Sequence, residues 1–181
     1  MADEKYSPGP ADAQVEKIPG ENWRFILVRQ LKHAPETVWK ALTEPEFLRE
    51  WAPFDADKNM GQEGAVVQLT WVGSPGPHVS ETRVSRAEFA RELEYTVNDN
   101  PMRWRLEAAG SGTKLTLWAT IDKRYIAMGA AGWHICLDML DRVLSGTPLG
   151  RMAGPETMQF EGWKRLNAEY TQRFAEQERS V

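Results

Sequence analysis

Two ionisable side chains stand four residues apart in the run Gly132 to Gly146, GWHICLDMLDRVLSG: His134 and Asp138. On a helix that spacing puts both on one side, where a carboxylate can hold an imidazole in the manner of a general base. The helical wheel sets the pair roughly 100 to 140 degrees from the stripe begun by Trp133, beside Asp141 and Arg142. The competing reading is therefore a solvated polar face, and no nucleophile accompanies the imidazole. Cys136 is the only cysteine, which excludes an intramolecular disulfide and any Cys-x-x-Cys metal or redox site. It flanks the apolar stripe on the side of Val143 and Tyr125 and reads as a small hydrophobe with nothing near it to lower its pKa.

The histidines are His33, His78 and His134. They fall in separate elements and share no metal-ligand spacing, so neither a metal nor another cofactor is expected. Glu81 and Arg83 share a strand face with Val79, and Arg105 shares one with Arg103, away from Trp104 and Leu106. One such group turned into an apolar pocket would orient the polar end of a ligand; the alternative is that all four face solvent. Glu81 is the first choice among them, and with His134 it is the only candidate proton carrier; the catalytic residues are otherwise unassigned. There is no phosphate-cradling glycine loop, no G-x-S-x-G elbow and no paired-carboxylate motif.

The elements that must carry these residues follow from periodicity. Trp133, Leu137, Leu140 and Leu144 are spaced four, three and four apart and form one stripe of a long helix. Before it come strands. Trp23 to Leu31 opens the set, with Phe25, Leu27 and Arg29 on one side. Ala65 to Val72 alternates with one apolar face. Strands over His78 to Ser85, Leu93 to Val97, Arg103 to Ala109 and Thr113 to Ile121 follow, with a short one expected near Asp55 to Asn59. GSPGP at Gly73 to Pro77, the cluster Asn98 to Pro101, and Gly110-Ser111-Gly112 mark the turns. Pro35 and Pro45 each suit the first turn of a short helix, the second carrying the capping-box spacing Thr43 to Glu46. Val38, Trp39 and Leu42, then Phe47, Leu48 and Trp51, form their apolar sides. Pro155 is placed to start a last helix, on which Phe160, Trp163, Asn167, Tyr170 and Phe174 recur at helical spacing to about Gln177.

Segregated strands and helices predict an α+β fold: a curved antiparallel sheet around a long helix, with two short helices after the first strand and an extra C-terminal helix. Residues 1–20, rich in Pro, Gly, Ala and charge, are expected to be a mobile tail, and residues 21–178 a single domain. The 181 residues are long enough to bury a core. A net charge of −4 argues against a nucleic-acid partner. The N-terminus has no apolar signal-peptide segment, and no run approaches the roughly 18 apolar residues of a membrane span, so a cytoplasmic protein is expected. Eight tryptophans either fill the space between sheet and helices or line an aromatic pocket.

Three passages carry a family resemblance: APETVWKALTEPEFLREW (Ala34 to Trp51), GTKLTLWATI (Gly112 to Ile121), and GWHICLDMLDRVLSG followed by GWKRLNAEYTQRF (Gly162 to Phe174). In this order they resemble the START-like (SRPBCC) superfamily with its helix-grip fold, in the branch named after the C-terminal domain of the activator of heat-shock protein 90 ATPase. The resemblance spans about residues 22 to 176. It implies a largely apolar cavity between sheet and long helix that binds lipids, polyketides, hormones or other hydrophobic molecules; some members are polyketide aromatases or cyclases. The superfamily has no universal catalytic residue to carry over. The chain lacks the second domain of the eukaryotic activator, so a chaperone partner is not expected.

The expected function is thus binding of a small hydrophobic or amphipathic molecule between sheet and helix. Leu69, Trp71, Tyr95, Trp104, Leu115 and Leu117 would face Trp133, Leu137 and Leu140 across that cavity. The alternatives are a cyclase- or dehydratase-like enzyme using His134 or Glu81, and a chaperone-interacting or homodimerising module.

Overall fold

The computed structural model describes residues 6–73 and 78–180. Apolar alternation builds the larger sheet. Strands β1 (Gln14–Ile18), β2 (Asn22–Leu31), β6 (Arg86–Glu88), β7 (Glu92–Val97), β8 (Asn100–Ala109) and β9 (Gly112–Ile121) pair antiparallel in the order β1-β2-β9-β8-β7-β6. Phe25 and Leu27 of β2, Met102, Trp104 and Leu106 of β8, and Leu115, Leu117 and Ala119 of β9 are buried on one face. Register keeps that face continuous: Leu27 and Trp104 both pair with Leu117. The intervening residues point the other way, where Arg103 and Arg105 lie over the Trp118 ring at 5.0 and 5.5 Å. Strands β3 (Phe54–Ala56), β4 (Val66–Trp71) and β5 (His78–Arg83) form a second antiparallel sheet in that order.

Helices α1 (Pro35–Thr43) and α2 (Pro45–Trp51) each start on their proline. The capping box is not made. Thr43 is still inside α1, where its hydroxyl donates to the Trp39 carbonyl at 2.8 Å, and Glu44 is the residue before α2. The long helix α3 (Ile126–Leu144) begins six residues before Gly132, because Asp122 caps a 3-10 turn over Lys123–Tyr125 that feeds straight into it. Pro155 opens no long helix: a 3-10 turn over Thr157–Gln159 comes first, and α4 (Glu161–Arg179) follows, burying Trp163, Leu166, Tyr170 and Phe174. Helix α3 packs against β2, α2 and α4. This is the α+β helix-grip arrangement, with α3 gripped by the curved sheet.

The N-terminal stretch differs from the mobile tail expected over residues 1–20. Residues 14–18 form edge strand β1 against β2. Tyr6 and Ala13 are buried, and the Ala13 carbonyl accepts from Arg173 Nε of α4 at 2.7 Å. Pro and Gly here shape a strap and do not signal disorder, since helix side chains satisfy its backbone groups. Residues 1–5 lie outside the described residues, as does most of the turn expected over Gly73 to Pro77.

Candidate functional site

The space between α3 and the sheet is mostly filled. Trp51, Trp104 and Trp133 meet edge to face, with ring centroids 6.1 Å apart for Trp51–Trp104 and 5.7 Å for Trp104–Trp133. Phe54 joins them at 6.4 Å from both Tyr95 and Trp133. The polar atoms of this cluster are paired inside it: Trp104 Nε1 donates to Tyr95 Oη at 3.1 Å, and Trp51 Nε1 to the Ala41 carbonyl at 2.9 Å. Of the nine residues expected to line a deep cavity, Leu69, Tyr95, Trp104, Leu115, Leu117, Leu137 and Leu140 are at most 3% exposed. They are core, because the rings that were to enclose a ligand interlock with one another. Trp71 and Trp133 are half-buried and border open space.

That space lies at the edge of the filled core, along the first half of α3. A groove of about 430 Å³ runs between Trp71, Val72 and His78 on one side and Met128, Gly129 and Gly132 on the other, with Trp163 also in its wall. It continues into a narrower recess of about 150 Å³, where Trp133, Cys136, Met152 and Thr157 join. Pro53, Trp71, Gly129, Gly132, Gly154 and Trp163 border both. Trp133 also closes a small void of about 80 Å³ on its sheet side, beside Phe25, Met102 and Ile121.

The connection from α3 to α4 makes the outer wall. Arg151 pins it to the body: one Nη reaches Asp55 at 2.5 Å and the Leu48 carbonyl at 3.2 Å. Gly154, at φ +80°, lies so close to β4 that a Cβ there would stand 2.7 Å from the Val72 carbonyl oxygen. Glycine is the residue that permits both the backbone turn and the approach.

Among the described residues, no Asp, Glu, Lys or Arg side chain lines the groove or its recess. The polar side chains there are His78, Asn98, Tyr125 and Thr157, with Cys136 at the floor. Burial pushes the Cys136 thiol up to about 12, so it stays protonated and is no nucleophile. Among the described residues no set of three His, Cys, Asp or Glu side chains converges to hold a metal ion.

Neither candidate proton carrier reaches this groove. Glu81 is exposed on the smaller sheet, where it accepts from Gln68 Nε2 at 2.8 Å. His134 is not on a solvated face: it is 2% exposed and covered by the N-terminal strap and α4. Its Nδ1 lies 2.7 Å from Tyr170 Oη, and its Nε2 is 3.8 Å from an Asp138 oxygen, beyond a hydrogen bond. Asp138 instead accepts from the Tyr6 hydroxyl at 2.5 Å. Four-residue spacing put His134 and Asp138 on one side as expected, but the strap that covers that side carries no apolar periodicity.

Of the residues expected from the sequence to line a cavity, Trp71 and Trp133 border this open space; Pro53, His78, Gly129, Gly132, Trp163 and the stretch Met152 to Gly154 border it without having been expected. The glycine pair within α3 was the one available signal, since glycine inside a helix needs a reason. A second hollow, about 640 Å³ beside β6 and β8, is charged: Arg86, Arg105, Glu88 and Glu92 line it. Burial pushes the Glu92 carboxyl up, but hydrogen bonds from Arg103 and Arg105 outweigh this and hold it below the ordinary range. Its wall carries an ion-pair cluster, with Glu92 2.8 to 3.1 Å from Arg86, Arg103 and Arg105.

The sequence matches the family described as Activator of Hsp90 ATPase homolog 1-like protein over residues 32–145, from α1 to the end of α3. No curated protein matches it. Several solved structures share the fold. CalU16 from Micromonospora echinospora is 20% identical, with a TM-score of 0.65 over 93% of this chain and 98% of that one. A conserved protein of unknown function from Enterococcus faecalis, EF2215, is 17% identical, with a TM-score of 0.68 over 92% of each chain. DynU16, a protein of the dynemicin biosynthetic locus, is 20% identical, with a TM-score of 0.60 over 69% of this chain and 48% of its own.

Proposed function

The chain belongs to the Activator of Hsp90 ATPase homolog 1-like protein family, and we propose that it binds a small hydrophobic or amphipathic molecule in the groove along the first half of α3. The observation that carries the reading is the wall of the groove and its recess: three indoles, Trp71 and Trp163 on both and Trp133 in the recess, around open space that no charged side chain of the described residues lines. Binding sites for small molecules combine such apolar walls with a few polar groups that orient one end, and His78, Asn98 and Tyr125 at the wider end supply them.

The test is native mass spectrometry of the purified protein, followed by titration with a neutral aliphatic probe, 1-dodecanol, read by tryptophan fluorescence. A co-purified small molecule, or saturable dodecanol binding that weakens at least fivefold in Trp71→Ala, supports the reading. Absence of both refutes it. The same spectrum gives the mass of the assembly and so tests the homodimer.

A cyclase- or dehydratase-like enzyme is the second reading, and one observation favours it: His78 is the imidazole on the groove wall. In that reading His78, and not His134 or Glu81, moves the proton. Turnover of a released ligand that survives in His78→Ala would remove it.

A further inference from the structure

We infer that the ligand of this groove is an uncharged aromatic compound whose ring system lies directly against the α3 backbone at Gly132. This rests on the ligand-binding reading above and narrows it to a chemical class and a specificity-determining position.

The two glycines of α3 on the groove differ in what explains them. At Gly129 a Cβ would stand 2.8 Å from Ile121 Cδ1 and 3.4 Å from Phe25 Cε1, so close helix–sheet packing accounts for its lack of a side chain. At Gly132 a Cβ would meet nothing within 4 Å among the described residues. Its φ is not in the left-handed region either, since Gly132 is absent from the positive-φ glycines. A glycine inside a helix lowers its stability relative to alanine, and among the described residues neither packing nor backbone geometry requires one here. What remains is the open space itself, because Gly132 borders both the groove and its recess. A bare helix backbone at that point lets a flat object approach by the width of a methyl group more than alanine would allow.

Charge and shape set the class. A carboxylate, phosphate or ammonium entering the recess would find no countercharge among the described residues and would lose its hydration without compensation. Trp71, Trp133 and Trp163 line the recess, and an aromatic ligand packed against indoles gains beyond simple area burial. A polar but neutral substituent can remain at the end with His78, Asn98 and Tyr125.

The experiment uses two probes that share one ring system: N-phenyl-1-naphthylamine, which is uncharged, and 8-anilinonaphthalene-1-sulfonate, which adds a sulfonate. Both are titrated by fluorescence into the wild-type chain and Gly132→Ala, with thermal unfolding of each. The expected result is at least tenfold tighter binding of the neutral probe, and at least tenfold weaker binding of that probe to Gly132→Ala. The variant's melting temperature should be unchanged or raised, which separates lost binding from lost fold. Equal affinity for the two probes overturns the charge argument. Unchanged affinity in Gly132→Ala overturns the backbone contact. If dodecanol binds and the naphthylamine does not, the inference falls while the ligand-binding reading stands; if neither binds, both fall.

Discussion

Acidification should destabilise this protein through one buried imidazole. The His134 side chain is 3% exposed, with Nδ1 2.7 Å from Tyr170 Oη. Charged groups face it from every side: Asp12 of the strap at 3.6 Å, Asp138 at 3.8 Å, Arg29 of β2 beside both acids, and Arg165 of α4. Burial, reinforced by the Arg29 charge and opposed by Asp12, lowers the His134 pKa to about 4. An unfolded histidine titrates near 6.5, so between those values the unfolded chain binds the extra proton. The stability is fully present above about pH 6.5 and is lost as pH falls towards 4. From these two values, acidifying from about pH 7.5 to about pH 5 removes roughly 2 kcal/mol. Asp138 works in the opposite direction. Burial raises its pKa in the fold, so the folded state takes up a proton first and regains part of the loss. The assay is urea unfolding, followed by tryptophan fluorescence across that pH range, for wild type, His134→Gln and Asp138→Asn. The His134→Gln slope should be shallower than wild type by up to about 2 kcal/mol over the range, and the Asp138→Asn slope steeper than wild type. Identical pH slopes for wild type and His134→Gln would refute the placement of a neutral imidazole under the strap.

Two further substitutions separate core from groove. Leu137→Ala, at a position 1% exposed in the filled interior, should cost about 2–5 kcal/mol in urea unfolding; a loss under 1 kcal/mol would mean that the interior is not packed there. Gly154→Ala places a Cβ 2.7 Å from the Val72 carbonyl at φ +80°. It should cost about 1–3 kcal/mol and loosen the groove's outer wall, measured as faster amide exchange over residues 150–158; unchanged stability and exchange would count against the tight approach.

The filled core and the open groove at its edge are separate regions along α3. The interlocked rings of Trp51, Phe54, Tyr95 and Trp104 hold α3 against the sheet. Trp133 belongs to both regions: it packs on Trp104 at 5.7 Å and borders the recess on one side and the 80 Å³ void on the other.

What the sequence determined by itself is the set of elements whose pattern is local. Period-two alternation over Ala65 to Val72 and Thr113 to Ile121, the prolines at 35 and 45, and the stripe Trp133-Leu137-Leu140 each report a buried face that the backbone must present. Their order was enough for an α+β fold with a sheet curled around a long helix, and the helix-grip fold came from the resemblance carried by the three family passages. Tertiary structure alone decided the rest, because it depends on which surfaces meet. The strap over residues 6–18 has too little apolar periodicity to be read, yet the Arg173 side chain and the β2 edge order it. That contact turned His134 from a surface position into a buried one. Whether large rings enclose a cavity or fill it depends on their relative angles, which no spacing encodes. The groove fell where an irregular connection, held by Arg151 and Gly154, faces the bare backbone of Gly132 across open space.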